Sequence, residues 1–161
     1  MEATILTITV SFFIFIFSTI TIIYGWNQIY INGQKLASRN EANNLRQVIC
    51  SSVEDIEKDA TQFWMEKNEG KEHHALSTIT FTAKLESIKK DLEVLKKYNI
   101  DLDISFEIRK LRSYITLDME RANSVKTDTK KDKLSNIINF SDRIKRKINY
   151  SFHKVYLPIE P

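Results

Sequence analysis

The stretch ATILTITVSFFIFIFSTITIIY, residues Ala3–Tyr24, contains no charged residue and no proline. Its 22 residues, rising ~1.5 Å each in a helix, extend about 33 Å, which is enough to cross a hydrocarbon core of ~30 Å. Because backbone amides in lipid must bond within their own segment, a helix is expected despite the many β-branched residues. We therefore predict a transmembrane anchor over residues 1–26.

The flanks of this stretch favour an uncleaved anchor over a signal peptide. The two residues before it, Met1 and Glu2, lack the positive charge of a signal peptide, and no small-residue cleavage site follows. Tyr24, Trp26 and Tyr30 are predicted to form an aromatic belt at the membrane interface.

Positive charges predict the orientation of the chain. No Lys or Arg precedes the apolar stretch, whereas Lys35, Arg39 and Arg46 follow it. By the positive-inside rule, the N-terminus is expected outside the inner membrane and the rest of the chain in the cytoplasm. The single Cys50 agrees with a reducing compartment, and one cysteine excludes a disulfide framework.

Small and hydroxyl side chains recur along the apolar stretch at spacings of three and four, with one exception at Ile14. The set is Thr4, Thr7, Ser11, Ser18, Thr21 and Gly25. Such a face lets a second membrane helix approach closely, so it is a candidate packing surface for a second copy or a membrane protein partner. Alternatively, the hydroxyl groups bond back to their own helix and contact nothing else.

The remaining sequence contains four amphipathic segments with helical spacing, at about 36–65, 76–98, 103–121 and 134–153. Their predicted core positions are Leu45, Ile49, Val53, Ile56, Ala60, Phe63, Phe81, Leu85, Ile88, Leu92, Leu95, Ile104, Ile108, Leu111, Ile115, Met119, Ile137, Ile138, Ile144, Ile148 and Phe152. The second segment has a regular heptad, typical of a coiled coil. Asn99 is a predicted helix stop and Asp103 a predicted N-cap, while 66–73 and 124–133 are predicted loops.

These features predict an all-α protein, with one N-terminal transmembrane helix followed by an antiparallel bundle of about four helices. The bundle domain is expected to span residues 27–161. A second arrangement stays open, in which the first two long segments pair as a hairpin and the others dock on them.

No catalytic, cofactor or metal site is predicted. The sequence lacks phosphate-binding glycine loops, the nucleophile-elbow motif and the zinc-binding HExxH motif. We interpret His73 and His74 as solvated loop residues, Cys50 as a structural thiol, and the acidic residues at 54–59 as a solvated helix face. A non-enzymatic protein without cofactors is therefore expected.

The C-terminal region is basic, since residues 126–154 contain nine Lys or Arg and three Asp, a net charge of +6. The centre of this basic patch is Arg143, Lys145, Arg146 and Lys147. It could contact anionic lipid of the inner leaflet or a nucleic-acid backbone. The favoured interpretation is that it pairs with the acidic first helix of the bundle, and nucleic acid is the least favoured partner.

The uncharged N-terminal span followed by RNEANNLRQVICSSVEDIEKDATQFW, Arg39–Trp64, resembles a group of small single-pass bacterial inner-membrane proteins. Some of these are carried by prophages, and the superinfection exclusion protein A type is one of them. The resemblance is architectural and covers about the first 65 residues. It implies a protein that stays at the inner membrane and blocks entry of a second phage's DNA, and it supplies no catalytic residues.

The sequence thus predicts a non-enzymatic, membrane-tethered interaction protein, and the resemblance implies superinfection exclusion, a form of phage defence, as its role. The alternative is an accessory subunit or regulator of a larger membrane complex. The expected partners are the lipid bilayer and either further copies of the chain, forming an oligomer, or another membrane protein.

Overall fold

Every regular element in the described part of the chain is helical. The computed structural model describes the backbone of residues 2–65 and 71–156, and the side chains of residues 10–65 and 74–156. These residues form four α-helices and one short 3₁₀ helix: α1 (Glu2–Met65), α2 (Lys71–Lys96), α3 (Ser105–Thr116), the 3₁₀ helix (Met119–Arg121) and α4 (Thr127–Tyr156). The all-α prediction is confirmed.

Helix α1 contains both the predicted anchor and the first predicted segment of the bundle. It passes through Gly33, where an added Cβ would meet nothing within 4 Å. A single glycine costs a helix only about 1 kcal/mol relative to alanine, so it does not interrupt so long a helix. By its contacts the chain divides into two compact units, an N-terminal unit (Met1–Asn40) and a C-terminal unit (Glu41–Pro161).

Within the C-terminal unit, α1 and α4 contact each other in opposite directions. Near the start of this part of α1, Arg46 bonds to Asn149. Near its end, the ring of Trp64 lies 4.9 Å from Nζ of Lys133. Residue numbers rise along α1 as they fall along α4, which is an antiparallel pairing.

The other contacts of the C-terminal unit show the same alternation. Helix α1 contacts α2 through Asp59 and Lys84, and it contacts the turn after α2 through Glu41 and Tyr98. Helix α2 contacts α3 through Glu86 and Arg112, and it contacts the 3₁₀ helix through Thr78 and Met119. Helix α3 contacts α4 through Glu107 and Lys147. Residue numbers rise along one helix as they fall along the other in the two contacts of α1 with the α2 region, and the same holds for α3 and α4, where the stacked rings of Tyr114 and Phe140 supply the second contact.

The predicted core positions form one buried cluster, with Leu45 and Leu92 partly buried at its edge. Ile138 is an error of the prediction, since it is 42% exposed and lines a groove between α1 and α4. The buried position between Ile137 and Ile144 belongs instead to Ser141, which is 0% exposed. A hydroxyl side chain gives no apolar signal, so the periodicity could not identify it.

Asn99 ends the α2 region as predicted. It adopts the left-handed backbone conformation with φ 60°, its amide bonds to the Lys96 carbonyl at 3.0 Å, and the Ile100 amide bonds to the Leu95 carbonyl at 3.4 Å. This is the hydrogen-bond pattern of a Schellman motif, and the accompanying apolar contact is supplied by the buried Leu95 and Ile100.

The third helix begins at Ser105 and ends earlier than predicted, and the predicted N-cap is wrong by one residue, because the N-cap is Ile104, whose side chain makes no capping hydrogen bond. A side-chain oxygen of Asp103 accepts a hydrogen bond from the Ser105 amide at 3.0 Å, and this bond holds the pKa of the Asp103 carboxyl below its ordinary value. The helix stops at Thr116 rather than near 121, because Asp118 takes a left-handed conformation with φ 65°. Met119 nevertheless stays in the core, at 1% exposure.

The two predicted loops differ from the structure. Most of the polar run 124–133 is helical, because α4 begins at Thr127. The first turns of α4 are largely exposed, so they need no apolar spacing. The buried Lys133 connects them to the rest of the unit through its contacts with Leu117 and Asp118. Of the other predicted loop, 71–73 belong to α2, and 66–70 lie outside the described residues.

Candidate functional site

The N-terminal unit exposes a long apolar surface. Helix α1 contains a segment long and apolar enough to cross a membrane, and none of its most apolar window is buried within the chain. Its large apolar side chains between 10 and 23 range from 38% exposed at Ile16 to 73% at Phe17. An apolar surface of this extent needs an apolar environment that the described chain does not supply.

The predicted aromatic belt is also exposed. Tyr24, Trp26 and Tyr30 are 64%, 74% and 65% exposed, and the Tyr30 hydroxyl accepts a hydrogen bond from the Gln34 amide at 2.6 Å. Rings with one polar group are suited to the boundary between lipid and water.

The predicted packing surface of the span is open in this chain. Ser11, Ser18 and Thr21 are exposed and Gly25 is partly buried, whereas the side chains of Thr4 and Thr7 lie outside the described residues. The Thr21 hydroxyl donates to the Phe17 carbonyl at 2.9 Å, as the second interpretation of this stripe expects. An added Cβ on Gly25 would meet nothing within 4 Å, so no contact with the described residues requires a glycine there.

Two residues of the predicted basic patch pair inside the C-terminal unit. Nζ of Lys145 lies 3.5 Å from Glu57, 3.7 Å from Glu54 and 3.2 Å from Asp142. Partial burial alone would lower the pKa of Lys145, but the hydrogen bond to Asp142 and the three negative charges raise it above its ordinary value. Part of the acidic region 54–59 is therefore an ion-pairing surface and not only a solvated face.

Lys147 also pairs internally, with Glu107 at 2.8 Å. The Glu107 carboxylate is buried at 7% exposure, so the ion pair supplies the counter-charge that it needs. For Lys145 and Lys147, internal pairing is thus what the structure shows.

The other two residues of the patch face outward. Arg143 and Arg146 are exposed, and the Arg143 guanidinium lies 5.3 Å from the centre of the Phe140 ring. Tyr150, 68% exposed, and the exposed Lys154 continue the same side of α4. We call Arg143, Arg146, Tyr150 and Lys154 the outer row of α4.

The interpretation of His74 as a solvated loop residue is wrong. It belongs to α2, is 5% exposed and packs edge-on against the Phe63 ring at 5.6 Å between centroids. Neither of its ring nitrogens has a hydrogen-bond partner among the described residues. The side chain of His73 lies outside the described residues.

Metal-binding and nucleophilic groups are not assembled in the described part of the chain. There, no three His, Cys, Asp or Glu side chains lie close enough together to hold a metal ion. Cys50 is partly buried, and burial raises the pKa of its thiol, which opposes the thiolate form that a nucleophile needs.

A three-helix junction was missed by the sequence reasoning. Nζ of Lys133 donates to the Leu117 carbonyl at 2.7 Å and lies 3.2 Å from Asp118, and the Trp64 indole N–H donates to the Ile115 carbonyl at 3.2 Å. Both donors satisfy carbonyl groups at the C-terminal end of α3, which no helical amide reaches. A lysine in a polar run carries no sequence signal of burial.

The described residues form a helical C-terminal unit and an N-terminal unit whose helix exposes an apolar surface. No protein-family model, no curated protein and no solved structure matches this chain.

Proposed function

We propose that this chain is a non-enzymatic interaction protein tethered to the bacterial inner membrane by a single pass. The observation that carries the proposal is the apolar surface of residues 10–23, which is exposed along its whole length. A helix with this surface is stable in lipid, where its side chains need no further burial and its backbone bonds are already made. The aromatic residues after it suit an interface.

The proposed orientation places the N-terminus outside and the C-terminal unit in the cytoplasm. Its support is the presence of Lys35, Arg39 and Arg46 after the span. A reporter fused to the C-terminus should therefore be active in the cytoplasm, and the same reporter at the N-terminus should be active on the other side. The opposite pattern would contradict the orientation.

The proposed biological role is superinfection exclusion, in which the tethered protein blocks entry of a second phage's DNA. Its support is the resemblance carried by the uncharged span and by Arg39–Trp64. Such a protein needs no enzymatic site, because a tethered protein acts by binding a partner at the membrane.

The test is a phage challenge of cells that express the full chain or residues 27–161. The full chain should lower plaque formation and the entry of labelled phage DNA for at least one phage, and the truncated chain should not. Membrane attachment is measured in parallel by resistance to carbonate extraction. Equal protection by both forms, or no protection by the full chain against a broad phage panel, would refute the proposed role.

A second candidate is an accessory subunit or regulator of a larger membrane complex. The exposed small-residue face favours it, because an added Cβ on Gly25 would meet nothing within 4 Å among the described residues. Replacing Gly25 by Leu should then weaken co-purification with a second membrane protein from mild detergent, whereas Ile23→Leu, the control, should not. Recovery of this chain only with copies of itself would favour self-association instead.

A further inference from the structure

The exposed side of α4 concentrates positive charge in a way that the internal ion pairs do not explain. The twelve residues Arg143–Lys154 contain five Lys or Arg and no Asp or Glu. Two of these cations, Lys145 and Lys147, contact carboxylates of α1 and α3. The other three, in the outer row, are exposed, and no ion pair is formed by them with the described residues.

The outer row occupies a single face. Arg146, Tyr150 and Lys154 are spaced by four residues, and Arg143 precedes them by three, so all four lie along one side of a helix. The buried residues Ile144, Ile148 and Phe152 occupy the other side. The Tyr150 phenol lies between Arg146 and Lys154, each one helical turn away, so this face combines an apolar ring, a hydroxyl group and positive charge. This combination suits the headgroup region of an anionic bilayer.

The antiparallel contacts place the end of α4 at the end of the C-terminal unit that carries Glu41. The Tyr156 hydroxyl donates to the Tyr98 carbonyl at 3.3 Å, and the Tyr98 hydroxyl donates to Glu41 at 3.1 Å. Glu41 follows Tyr30, the last residue of the aromatic belt, by only 11 residues of the chain. If residues 3–24 cross a bilayer, the outer row is therefore tethered within reach of its surface.

We infer that the outer row of α4 binds the anionic headgroups of the bilayer in which the chain is anchored. The inference rests on the proposed membrane attachment. The complementary charge is that of a phosphate or carboxylate headgroup, and each basic residue near such a surface favours contact by about fivefold. Three cations together favour contact by about a hundredfold, which falls as salt screens the charges.

The experiment uses the full chain in proteoliposomes, with Cys50→Ala so that a fluorescent probe can be attached at Tyr150→Cys. Nitroxide-labelled headgroups should quench this probe in vesicles with 30% anionic lipid, and less so in neutral vesicles or at high salt. A probe at Ser135→Cys is the matched control. It lies on α4, is exposed, and is 15 residues or about 22 Å farther from the Glu41 end, so weaker quenching is expected.

Charge variants test the cations directly. Replacing Arg143, Arg146 and Lys154 together by Gln should abolish the anionic-lipid dependence of quenching. Replacing Lys58, Lys126 and Lys131 together by Gln removes the same number of charges from other exposed positions. This control should retain most of the anionic-lipid dependence of quenching. Hydrogen exchange of the unmodified chain gives a second measurement, with the amides of 143–154 protected more strongly in anionic than in neutral bilayers.

The outcomes separate the inference from the proposed function. A chain removed by carbonate refutes the proposed attachment. A chain that resists carbonate but shows no anionic-lipid effect at 150 refutes the inference alone. Shielding of the probe by a short DNA duplex, equal in neutral and anionic vesicles, would assign the outer row to nucleic acid and also overturn the inference.

Discussion

The junction between Trp64 and Lys133 joins the helix that carries the predicted span to α3 and α4, so its removal should loosen the whole C-terminal unit. Trp64 is 1% exposed, its indole N–H donates to the Ile115 carbonyl at 3.2 Å, and the Lys133 ammonium lies 4.9 Å from the ring. The perturbation is Trp64→Phe, which keeps an aromatic ring and removes the donor.

Three contributions set the expected magnitude. Loss of the hydrogen bond to a buried carbonyl costs about 1 kcal/mol. The smaller ring leaves roughly 40 Å³ unfilled, which costs about 1 kcal/mol at ~24 cal/mol per Å³. A weaker cation–π contact with Lys133 adds about 0.5 kcal/mol. We expect the free energy of unfolding to fall by about 2–3 kcal/mol.

A double-mutant cycle isolates the contact between the two side chains. Lys133→Met keeps the apolar stem but removes the ammonium that bonds to the Leu117 carbonyl and Asp118. We expect the double variant to lose about 0.5 kcal/mol less than the sum of the single variants, because Trp64 and Lys133 share the lost contact.

The measurement is chemical denaturation of the full chain in detergent micelles, followed by near-ultraviolet circular dichroism and by far-ultraviolet signal. Trp26→Phe is the matched control, since Trp26 lies in the N-terminal unit and is 74% exposed. This control should change the stability of the C-terminal unit by less than about 0.5 kcal/mol. A Trp64→Phe variant as stable as the control, or a coupling energy of zero, would refute the reasoning.

Further predictions concern the anchor, the core and the ion pairs. Ile16→Arg should disfavour membrane insertion by about 3 kcal/mol, measured as the inserted fraction in a translocation reporter, with Ile16→Leu as the neutral control. Ser141→Ala should leave stability unchanged or raise it by about 1 kcal/mol in denaturation, because the buried hydroxyl has no hydrogen-bond partner among the described residues; a loss above 1 kcal/mol would show that the hydroxyl is satisfied. Asn99→Ala should cost about 1 kcal/mol and Asn99→Gly little or nothing, since the position has φ 60°; equal effects of both substitutions would contradict this. Because the folded pKa of Lys145 is raised above its ordinary 10.5, the stability from its ion pairs is present below pH 10.5 and is lost as pH rises through the folded pKa. The stability difference between the wild type and Lys145→Met should therefore shrink on titration above pH 10.5, and a constant difference would exclude the ion pairs as its source.

Much of the fold is predictable because periodic burial leaves a local signal. The spacing of Ile49, Val53 and Ile56, and of Phe81, Leu85 and Ile88, identifies faces that the structure buries. Asn99 was predictable because a left-handed helix stop depends on the residue itself and its immediate neighbours, whereas the cap predicted at Asp103 lies one residue before the N-cap of the structure, Ile104. The apolar span needs no tertiary information, since its uncharged length exceeds the thickness of a hydrocarbon core.

The remaining features depend on side chains brought together from distant parts of the sequence. Nothing near Lys133 shows that its ammonium meets Trp64 of another helix, and nothing near His74 shows that Phe63 covers it. The polar start of α4 was read as a loop because an exposed helix surface has no apolar spacing.

The sequence by itself determined the helical class, the positions of most core residues and the existence of an uncharged segment of membrane-spanning length, because each follows from local composition and spacing. Only the tertiary structure decided which charges of the basic patch are neutralised. Ion pairing depends on distances between helices, which bring Lys145 to Glu57 and Lys147 to Glu107 while Arg143, Arg146 and Lys154 stay exposed.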